Sequence, residues 1–254
     1  MTQPTALVTN DDGVHSIFFQ LLLEALEPHF RVIIAAPAEE QSWIGRAFSR
    51  RRSVHVEEVE IGESRGWKIG GTPTDCVNIA LGRLVDAKPD VVVSGINIGY
   101  NTSMPLILSS GTLAGAIEGA HWGLPAIAAS QALPAGEFRE AARSGGRLPD
   151  DGLMTVRNGA RLTAKLAREI AGRDNSELQV HNLNFPYPLK EGTEVVETRP
   201  ARVEASCLFS ATEGNRYDFE YNRPPEPEVD HATDRAVVRQ GLVSLSILNF
   251  SMLA

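Results

Sequence analysis

The sequence predicts an α/β fold built on one twisted parallel sheet. Short apolar runs alternate along the chain with segments in which apolar residues recur at helical spacing. Several of these runs are apolar throughout, as expected for strands that helices bury on both faces. Polar turns containing glycine follow them, and the ligands of open parallel sheets bind at these carboxyl ends of the strands.

The first predicted elements follow one another as strand, helix and strand. A strand at 5–9 ends in the polar turn Asn10-Asp11-Asp12-Gly13, and a helix at 17–26 is closed by Pro28. A second strand at 31–36 is stopped by Pro37, and alternating stretches at 54–61 and 67–69 predict a small antiparallel excursion. Thr72 before Pro73 marks a helix start, and the apolar stripe behind it predicts a helix over about 73–85.

The second half of the chain continues the alternation. A buried strand at 91–93 opens a long loop that reaches Ser110, followed by a helix at about 113–122 and a strand at 125–130. Residues 133–151 predict an exposed connection, and a helix near 154–170 precedes a strand that ends at Leu183-Asn184-Phe185. The turn-prone segment 201–231 predicts an extended hairpin. A last strand is predicted over 243–248. The crossover rule favours right-handed connections between the parallel strands.

The composition is that of a globular protein and excludes several classes. With 43% hydrophobic residues, disorder as the main state is excluded. The formal charge of −8 disfavours stable nucleic-acid binding, because duplex affinity comes largely from phosphate neutralisation. Cys76 and Cys207 are too few for a disulfide scaffold or a four-thiolate zinc site. The first basic residue is Arg31 and no apolar run approaches a membrane span, so we expect a cytoplasmic protein without a membrane partner.

Three polar segments predict a cation site at the carboxyl edge of the sheet. Asp11 and Asp12 are adjacent carboxylates that would repel each other unless they share a cation, and a hard divalent ion suits them. Ser42 could add a neutral oxygen. Asn97 follows a buried strand and offers its amide oxygen, and Gly95 permits close approach of the backbone there. The alternatives are an Asx turn closed by a glycine, a surface serine and a loop-capping amide.

A fourth segment, Ser109-Ser110-Gly111-Thr112, lies just before a predicted helix whose free N–H groups and positive dipole end suit a phosphate. The alternative is an ordinary helix cap. The sequence contains no Walker-type lysine loop, dinucleotide-binding glycine motif or nucleophile elbow, and no histidine pair at zinc spacing. Glu118 and His121 are predicted to form a helix-surface pair. Arg46 and residues 50–52 are predicted to be a solvated loop that would attract polyanions if it overhung the pocket.

Five separated motifs closely resemble the survival protein SurE family. They are Val8-Thr9-Asn10-Asp11-Asp12-Gly13, Ala36-Pro37 with Ser42, Gly71-Thr72-Pro73-Thr74-Asp75-Cys76-Val77, Val93-Ser94-Gly95-Ile96-Asn97 and Ser110-Gly111-Thr112. Their order and spacing hold over about 6–130, and Leu183-Asn184 with segments 233–237 and 241–246 extends the resemblance to nearly the whole chain.

The resemblance implies a metal-dependent 5′/3′-nucleotidase that hydrolyses nucleoside monophosphates. It implies one Mg or Mn ion per subunit held by Asp11, Asp12, Ser42 and Asn97, with Asp11 or Asp12 also orienting or deprotonating the attacking water. The resemblance also implies that the substrate phosphate is bound by Asn97, Asn101, Ser110, Gly111 and Thr112. The implied fold is a single Rossmann-like, three-layer domain over 1–254, with a core of about 5–200 plus 235–250. A hairpin at about 201–232 is expected to be exchanged between subunits of a homodimer or homotetramer.

The chain departs from the family pattern beside the site. Gln41 replaces a usual basic residue, Trp43-Ile44 replaces small residues, and the loop 102–108 lacks the usual acidic residue. These changes leave open a nucleotide-binding protein that has lost efficient catalysis. The arginines leave open a broad acid phosphatase or exopolyphosphatase. A phospho-acceptor role for Asp11 or Asp12, as in receiver-type proteins, is a further alternative.

Overall fold

The computed structural model describes residues 3–204, 206–221 and 232–251. Within these residues, nine strands form one sheet and two more form a separate hairpin. The strands are β1 (Thr5–Thr9), β2 (Arg31–Pro37), β3 (Val56–Ile61), β4 (Ser64–Ile69), β5 (Val91–Ile98), β6 (Ala126–Gln131), β7 (Gln179–Phe185), β8 (Val195–Thr198), β9 (Phe209–Thr212), β10 (Arg216–Phe219) and β11 (Val243–Asn249).

The sheet is mostly parallel and has the strand order β3-β4-β2-β1-β5-β6-β7-β11-β8. All pairs from β4 to β7 are parallel. Only the margins depart from this, since β3 pairs antiparallel with β4 and β11 pairs antiparallel with β7. The predicted α/β class and parallel sheet are therefore confirmed, with β1 and β5 as central neighbours.

Helices cover both faces of the sheet. They are α1 (Ile17–Leu26), α2 (Pro73–Ile79), α3 (Met104–Ser109), α4 (Gly111–His121), α5 (Ala135–Ser144), α6 (Asp150–Ile170) and α7 (Asp234–Arg239). The predicted start at Thr72 is confirmed, because its hydroxyl accepts from Asp75 N and Asp75 Oδ2 accepts from Thr72 N. No helix of the described chain is both long and apolar enough to cross a lipid bilayer.

Alternation along the central strands separates two apolar layers. Ala6 and Val8 of β1 pack with α1 and α6 in one buried cluster, whereas Leu7 packs with α2 in a second. Fully buried side chains such as Phe18 and Phe19 contribute roughly 1.5–3 kcal/mol each through removal from water. A third cluster lies under α4. The three-layer arrangement holds the carboxyl ends of β1 and β5 side by side.

Two stretches predicted as irregular contain helices. The connection 133–151 holds α5, in which Ala141 is the only buried residue, so the helix leaves almost no apolar stripe in the sequence. The predicted loop after 93 is wrong in part, because β5 continues to Ile98 past an irregularity in register and α3 follows.

The helix predicted over 73–85 is α-helical only at its start, in α2, and continues as a π-helical turn from Ala80 to Leu84.

The predicted hairpin is confirmed where the structure describes it. Strands β9 and β10 pair antiparallel, with Phe209 opposite Phe219, and both are largely exposed. Residues 205 and 222–231 of the predicted segment lie outside the described residues. Exchange of this hairpin between subunits stays a prediction.

Candidate active site

Asp11 and Asp12 lie where β1 ends, at the carboxyl edge of the sheet. Asp11 is buried, at 3% exposure, although it carries an ionisable group. Its backbone O accepts from Gln41 N at 2.7 Å, which joins the loop after β2 to this turn. Asp12 Oδ2 accepts from Ile98 N at 2.9 Å, which joins the turn to the end of β5. Two segments that the sequence placed at neighbouring strand ends therefore meet at these carboxylates.

The start of α4 packs directly against Asp11. Thr112 Oγ1 donates to Asp11 Oδ1 at 2.6 Å. Gly111 leaves the space for this approach, because a Cβ there would lie 2.7 Å from Asp11 Cβ. Ser110 Oγ accepts from Leu113 N at 3.0 Å, so this hydroxyl is also the ordinary helix cap that the sequence left open. The helix N-terminus and the acidic pair form one site.

Burial and mutual repulsion make this acidic pair costly to ionise. Burial raises the pKa of Asp11 to about 6, against the lowering effect of the Thr112 hydrogen bond. The pKa of Asp12 lies well above its ordinary value, because the side chain is partly shielded from water and lies next to the Asp11 charge. The charge of Glu40 raises the pKa of both groups further. Desolvation and the neighbouring like charges therefore favour uptake of a positive charge, whereas the Thr112 hydrogen bond favours the carboxylate form.

The donor set at the pair fits a hard divalent cation. No group of three or more His, Cys, Asp or Glu suited to a metal occurs among the described residues, so carboxylates alone do not make up the set. Neutral oxygens are available to complete it, since Ser42 and Asn97 line the same cavity as Asp11. Mixed carboxylate, amide and hydroxyl oxygens are the ligands that Mg²⁺ and Mn²⁺ take.

Asn97 reaches the site because β5 is distorted just before it. Gly95 has φ +134°, and a Cβ there would lie 2.4 Å from Ala129 O, so only glycine fits. The register of β5 against β6 shifts between Ser94 and Asn97. Asn97 Nδ2 donates to Gly99 O at 3.2 Å, which leaves its Oδ1 as the atom offered to a cation. The predicted close backbone approach at Gly95 is confirmed.

Asn101 is held by buried amides that the sequence prediction missed. Its N donates to Asn184 Oδ1 at 2.7 Å and its O accepts from Asn182 Nδ2 at 3.0 Å. Its own Nδ2 donates to Ser130 Oγ at 2.9 Å and to Thr112 Oγ1 at 3.3 Å. The available signal was Asn182 and Asn184 alternating with the apolar Leu183 and Phe185 at the end of β7, because buried amides need partners.

A cavity of about 500 Å³ opens at this edge, within the usual range for small-molecule sites. Its polar lining includes Asp11, Ser42, Asn97, Asn101, Ser109 and Ser110, and its apolar and aromatic lining includes Trp43, Ile98, Tyr100, Leu106, Leu133, Phe138 and Tyr221. Arg139 is the only cationic residue that lines it within the described chain. The sequence did not predict the contribution of Phe138 and Arg139, because it predicted α5 as irregular.

Glu118 is a correction to the sequence prediction. It is fully buried instead of forming a surface pair with His121. Glu118 Oε2 lies 2.5 Å from Arg46 Nη2, and Oε1 accepts from Asn78 Nδ2 at 2.8 Å and from Trp122 Nε1 at 3.0 Å. Arg46 is therefore not simply part of a solvated loop, and its charge is engaged away from the cavity.

Fold and site together define an α/β protein with a candidate cation and phosphate site at the carboxyl edge of its sheet. The family model for survival protein SurE matches residues 6–206. The chain belongs to the SurE family.

Relatives and a solved structure agree with this assignment. A protein of Methanosarcina acetivorans named 5′-nucleotidase SurE is 33% identical, over 99% of this chain and 94% of its own length. Another of that name, from Deinococcus radiodurans, is 34% identical over 99% of this chain and 89% of its own. The crystal structure of a SurE protein from Aquifex aeolicus superposes with a TM-score of 0.73 at 25% identity, covering 97% of this chain and 93% of that one.

Proposed function

We propose that the chain is a metal-dependent 5′-nucleotidase that hydrolyses nucleoside 5′- and 3′-monophosphates to nucleoside and phosphate. The observation that carries the proposal is the contact between Asp11 and the start of α4. It places a carboxylate that can bind a cation next to a helix N-terminus that can bind a phosphate. The relatives that bear the name 5′-nucleotidase support the same activity. The cavity beside the pair has apolar and aromatic lining suited to a nucleoside.

Asp11, Asp12, Ser42 and Asn97 would hold one Mg²⁺ or Mn²⁺ per subunit. When bound, such an ion supplies polarisation of the phosphoryl group and makes a nearby water more acidic. The N–H groups of residues 110–112, with Asn97 Nδ2, would bind the phosphate oxygens, and Asn101 would position this helix start through its hydrogen bond to Thr112. Thr112 orients the Asp11 carboxylate through its 2.6 Å hydrogen bond. Asp11 or Asp12 would accept the proton of the attacking water.

Polyphosphate is the weaker substrate candidate. The arginine nearest the site in sequence, Arg46, is paired with Glu118. The cavity is lined by one cationic residue, Arg139, and by several aromatic ones. A polyanion would need more positive charge along its length, whereas a mononucleotide needs one phosphate site and an apolar surface.

The test is phosphate release from nucleoside 5′- and 3′-monophosphates, glycerol 2-phosphate and tripolyphosphate with Mg²⁺, Mn²⁺ or EDTA. We expect metal-dependent release from the nucleotides that Asp12→Asn abolishes and Asp86→Asn leaves unchanged. Asp86 is the matched control because it is exposed and precedes β5, at the opposite edge of the sheet. Nucleotide binding without turnover in either metal would favour the binding protein that has lost catalysis. Preferential release from tripolyphosphate would favour the exopolyphosphatase.

We also propose a cytoplasmic location and assembly into a homodimer or homotetramer. The exposed aromatic residues of the β9–β10 hairpin, Phe209, Tyr217 and Phe219, are compatible with contact to a second subunit. Measurement of the mass in solution by light scattering tests the assembly.

A further inference from the structure

Two aromatic side chains beside the cavity belong to different segments of the chain. Trp43 follows Ser42 directly, and Phe138 lies on α5. The Phe138 ring packs over Gly99, since a Cβ at Gly99 would lie 3.1 Å from Phe138 Cε2 and 3.7 Å from Asn97 Nδ2. Each ring is therefore next to one of the two neutral ligand residues proposed for the metal.

Trp43 is held toward the cavity in an unusual backbone conformation. Its φ is +60°, which a bulky side chain rarely adopts. Its ring packs against Phe219 and Tyr221 of the hairpin segment, with centroids 4.8 Å and 5.2 Å away. Even so, 40% of Trp43 and 42% of Phe138 remain exposed. Backbone strain at Trp43, together with the partial exposure of both rings at one cavity, indicates a role in binding.

We propose that Trp43 and Phe138 bind the nucleobase by stacking, so that this cavity selects mononucleotides over phosphate esters that lack a ring. The proposal rests on the proposed function, because the phosphate must sit at Asp11 and the start of α4. A ligand bound there extends into a cavity lined by both rings. Every nucleobase has a flat face, so stacking supplies affinity without strict base preference.

Arg139 provides the rival interpretation. As the only cation lining the cavity in the described chain, it could instead hold a second phosphate of a polyanion. In that case the aromatic rings would be bystanders and Arg139 would dominate affinity. The two interpretations predict different sensitive variants.

Direct binding tests the stacking site without catalysis. The chain has three tryptophans, so a Trp67→Phe/Trp122→Phe variant retains Trp43 as its only indole. We expect adenosine and guanosine, which carry no phosphate, to quench its fluorescence to saturation in EDTA. Calorimetry in the same buffer should show affinity reduced roughly tenfold by Phe138→Ala. Unchanged fluorescence, or affinity that Phe138→Ala leaves intact, would overturn the proposal.

Kinetics test the same site through selectivity. We expect Trp43→Gly and Phe138→Ala each to lower the ratio of kcat/KM for AMP over that for glycerol 2-phosphate by roughly tenfold, mainly through KM. Glycine suits the positive φ of position 43, so Trp43→Gly removes the ring without adding backbone strain. Trp43→Phe keeps a ring and should restore most of the ratio. Phe48→Ala is the matched control, because Phe48 is an exposed aromatic of the same loop that does not line the cavity.

The outcomes separate this proposal from the proposed function. If neither ester is hydrolysed in any metal, the proposed function fails, and the adenosine titration alone decides on the stacking site. If both are hydrolysed and the ratio is the same in Trp43→Gly and Phe138→Ala, the stacking site fails while the phosphatase stands. If Arg139→Ala weakens tripolyphosphate binding and the ring variants do not weaken adenosine binding, the cavity takes a polyanion and stacking is wrong.

Discussion

Helix α4 has a buried carboxylate site near each end, and the two sites are built in opposite ways. Near the C-terminal end, Glu118 accepts from Arg46, Asn78 and Trp122, so a cation and two neutral donors satisfy both oxygens. At the N-terminal end, Asp11 accepts a hydroxyl hydrogen bond from Thr112 but lies beside the like charges of Asp12 and Glu40. One site is complete within the described chain, and the other carries unbalanced negative charge, for which we propose a cation.

This difference separates a structural acid, Glu118, from the acid that we propose to be functional, Asp11. A buried carboxylate with all partners in place fixes the packing of the segments around it, here the loop of Arg46 against α2 and α4. A buried pair without a cation destabilises the fold and is retained where a ligand supplies the missing charge. Burial alone therefore does not mark the functional site, whereas burial with unbalanced charge does.

The largest expected effect is on activity at the unbalanced site. Asp11→Asn keeps the shape of the side chain but removes the charge that faces the predicted metal, so we expect metal-dependent phosphate release to fall at least about 100-fold. Initial rates with AMP at saturating Mn²⁺ measure this. Asp86→Asn serves as control. A rate within a factor of three of wild type would contradict the assignment of Asp11.

The next effect is on stability at the balanced site. Glu118→Ala leaves Arg46, Asn78 and Trp122 without their acceptor, and because Arg46 is partly exposed we expect a loss of about 2–3 kcal/mol in the free energy of unfolding. Urea denaturation followed by circular dichroism measures it. Glu118→Gln keeps the shape and one oxygen and should lose less. Equal stability of Glu118→Ala and wild type would show that these hydrogen bonds contribute nothing net.

A smaller effect is expected where Thr112 orients Asp11. Thr112→Val removes the hydroxyl with little change in volume, and loss of a group that positions a metal ligand should weaken Mg²⁺ affinity about tenfold. Thr112→Ser retains a hydroxyl and should recover most of the affinity. Titration of activity with Mg²⁺ gives the apparent Kd. Identical apparent Kd values for Thr112→Val and Thr112→Ser would remove the positioning role.

The smallest expected effect is on the stability of the protein in the absence of metal. Asp12→Asn removes one of two repelling carboxylates, of which Asp11 is buried and Asp12 partly buried, so in EDTA we expect it to stabilise the protein by about 1 kcal/mol, or to raise Tm by roughly 2–4 °C. Mg²⁺ should then raise the Tm of wild type and of Glu118→Gln but not of Asp12→Asn, because only a protein that binds the ion gains from it. Differential scanning calorimetry with and without Mg²⁺ checks both parts. A lower Tm for Asp12→Asn in EDTA would contradict the repulsion.

Much of the candidate site was predictable because its residues are contiguous with strand ends. Apolar runs and helix caps are local signals, so β1, α1, the start of α2 and the segments carrying Asp11, Asn97 and Ser110 follow from the sequence. The parallel topology then places these segments at one edge of the sheet. The family resemblance added the ligand set, which remains a prediction.

Other parts depended on contacts between segments far apart in the chain. Sequence spacing placed Glu118 on a helix surface, but its burial depends on Arg46, 72 residues away, and on Asn78, 40 residues away. Helix α5 buries only Ala141 and its apolar face is small, so it was predicted as an irregular connection, yet it brings Phe138 and Arg139 to the cavity. Local sequence determined the strands, the caps and the acidic turn. Only the tertiary structure decided which charges are balanced and which side chains line the cavity, because both depend on long-range packing that no local pattern encodes.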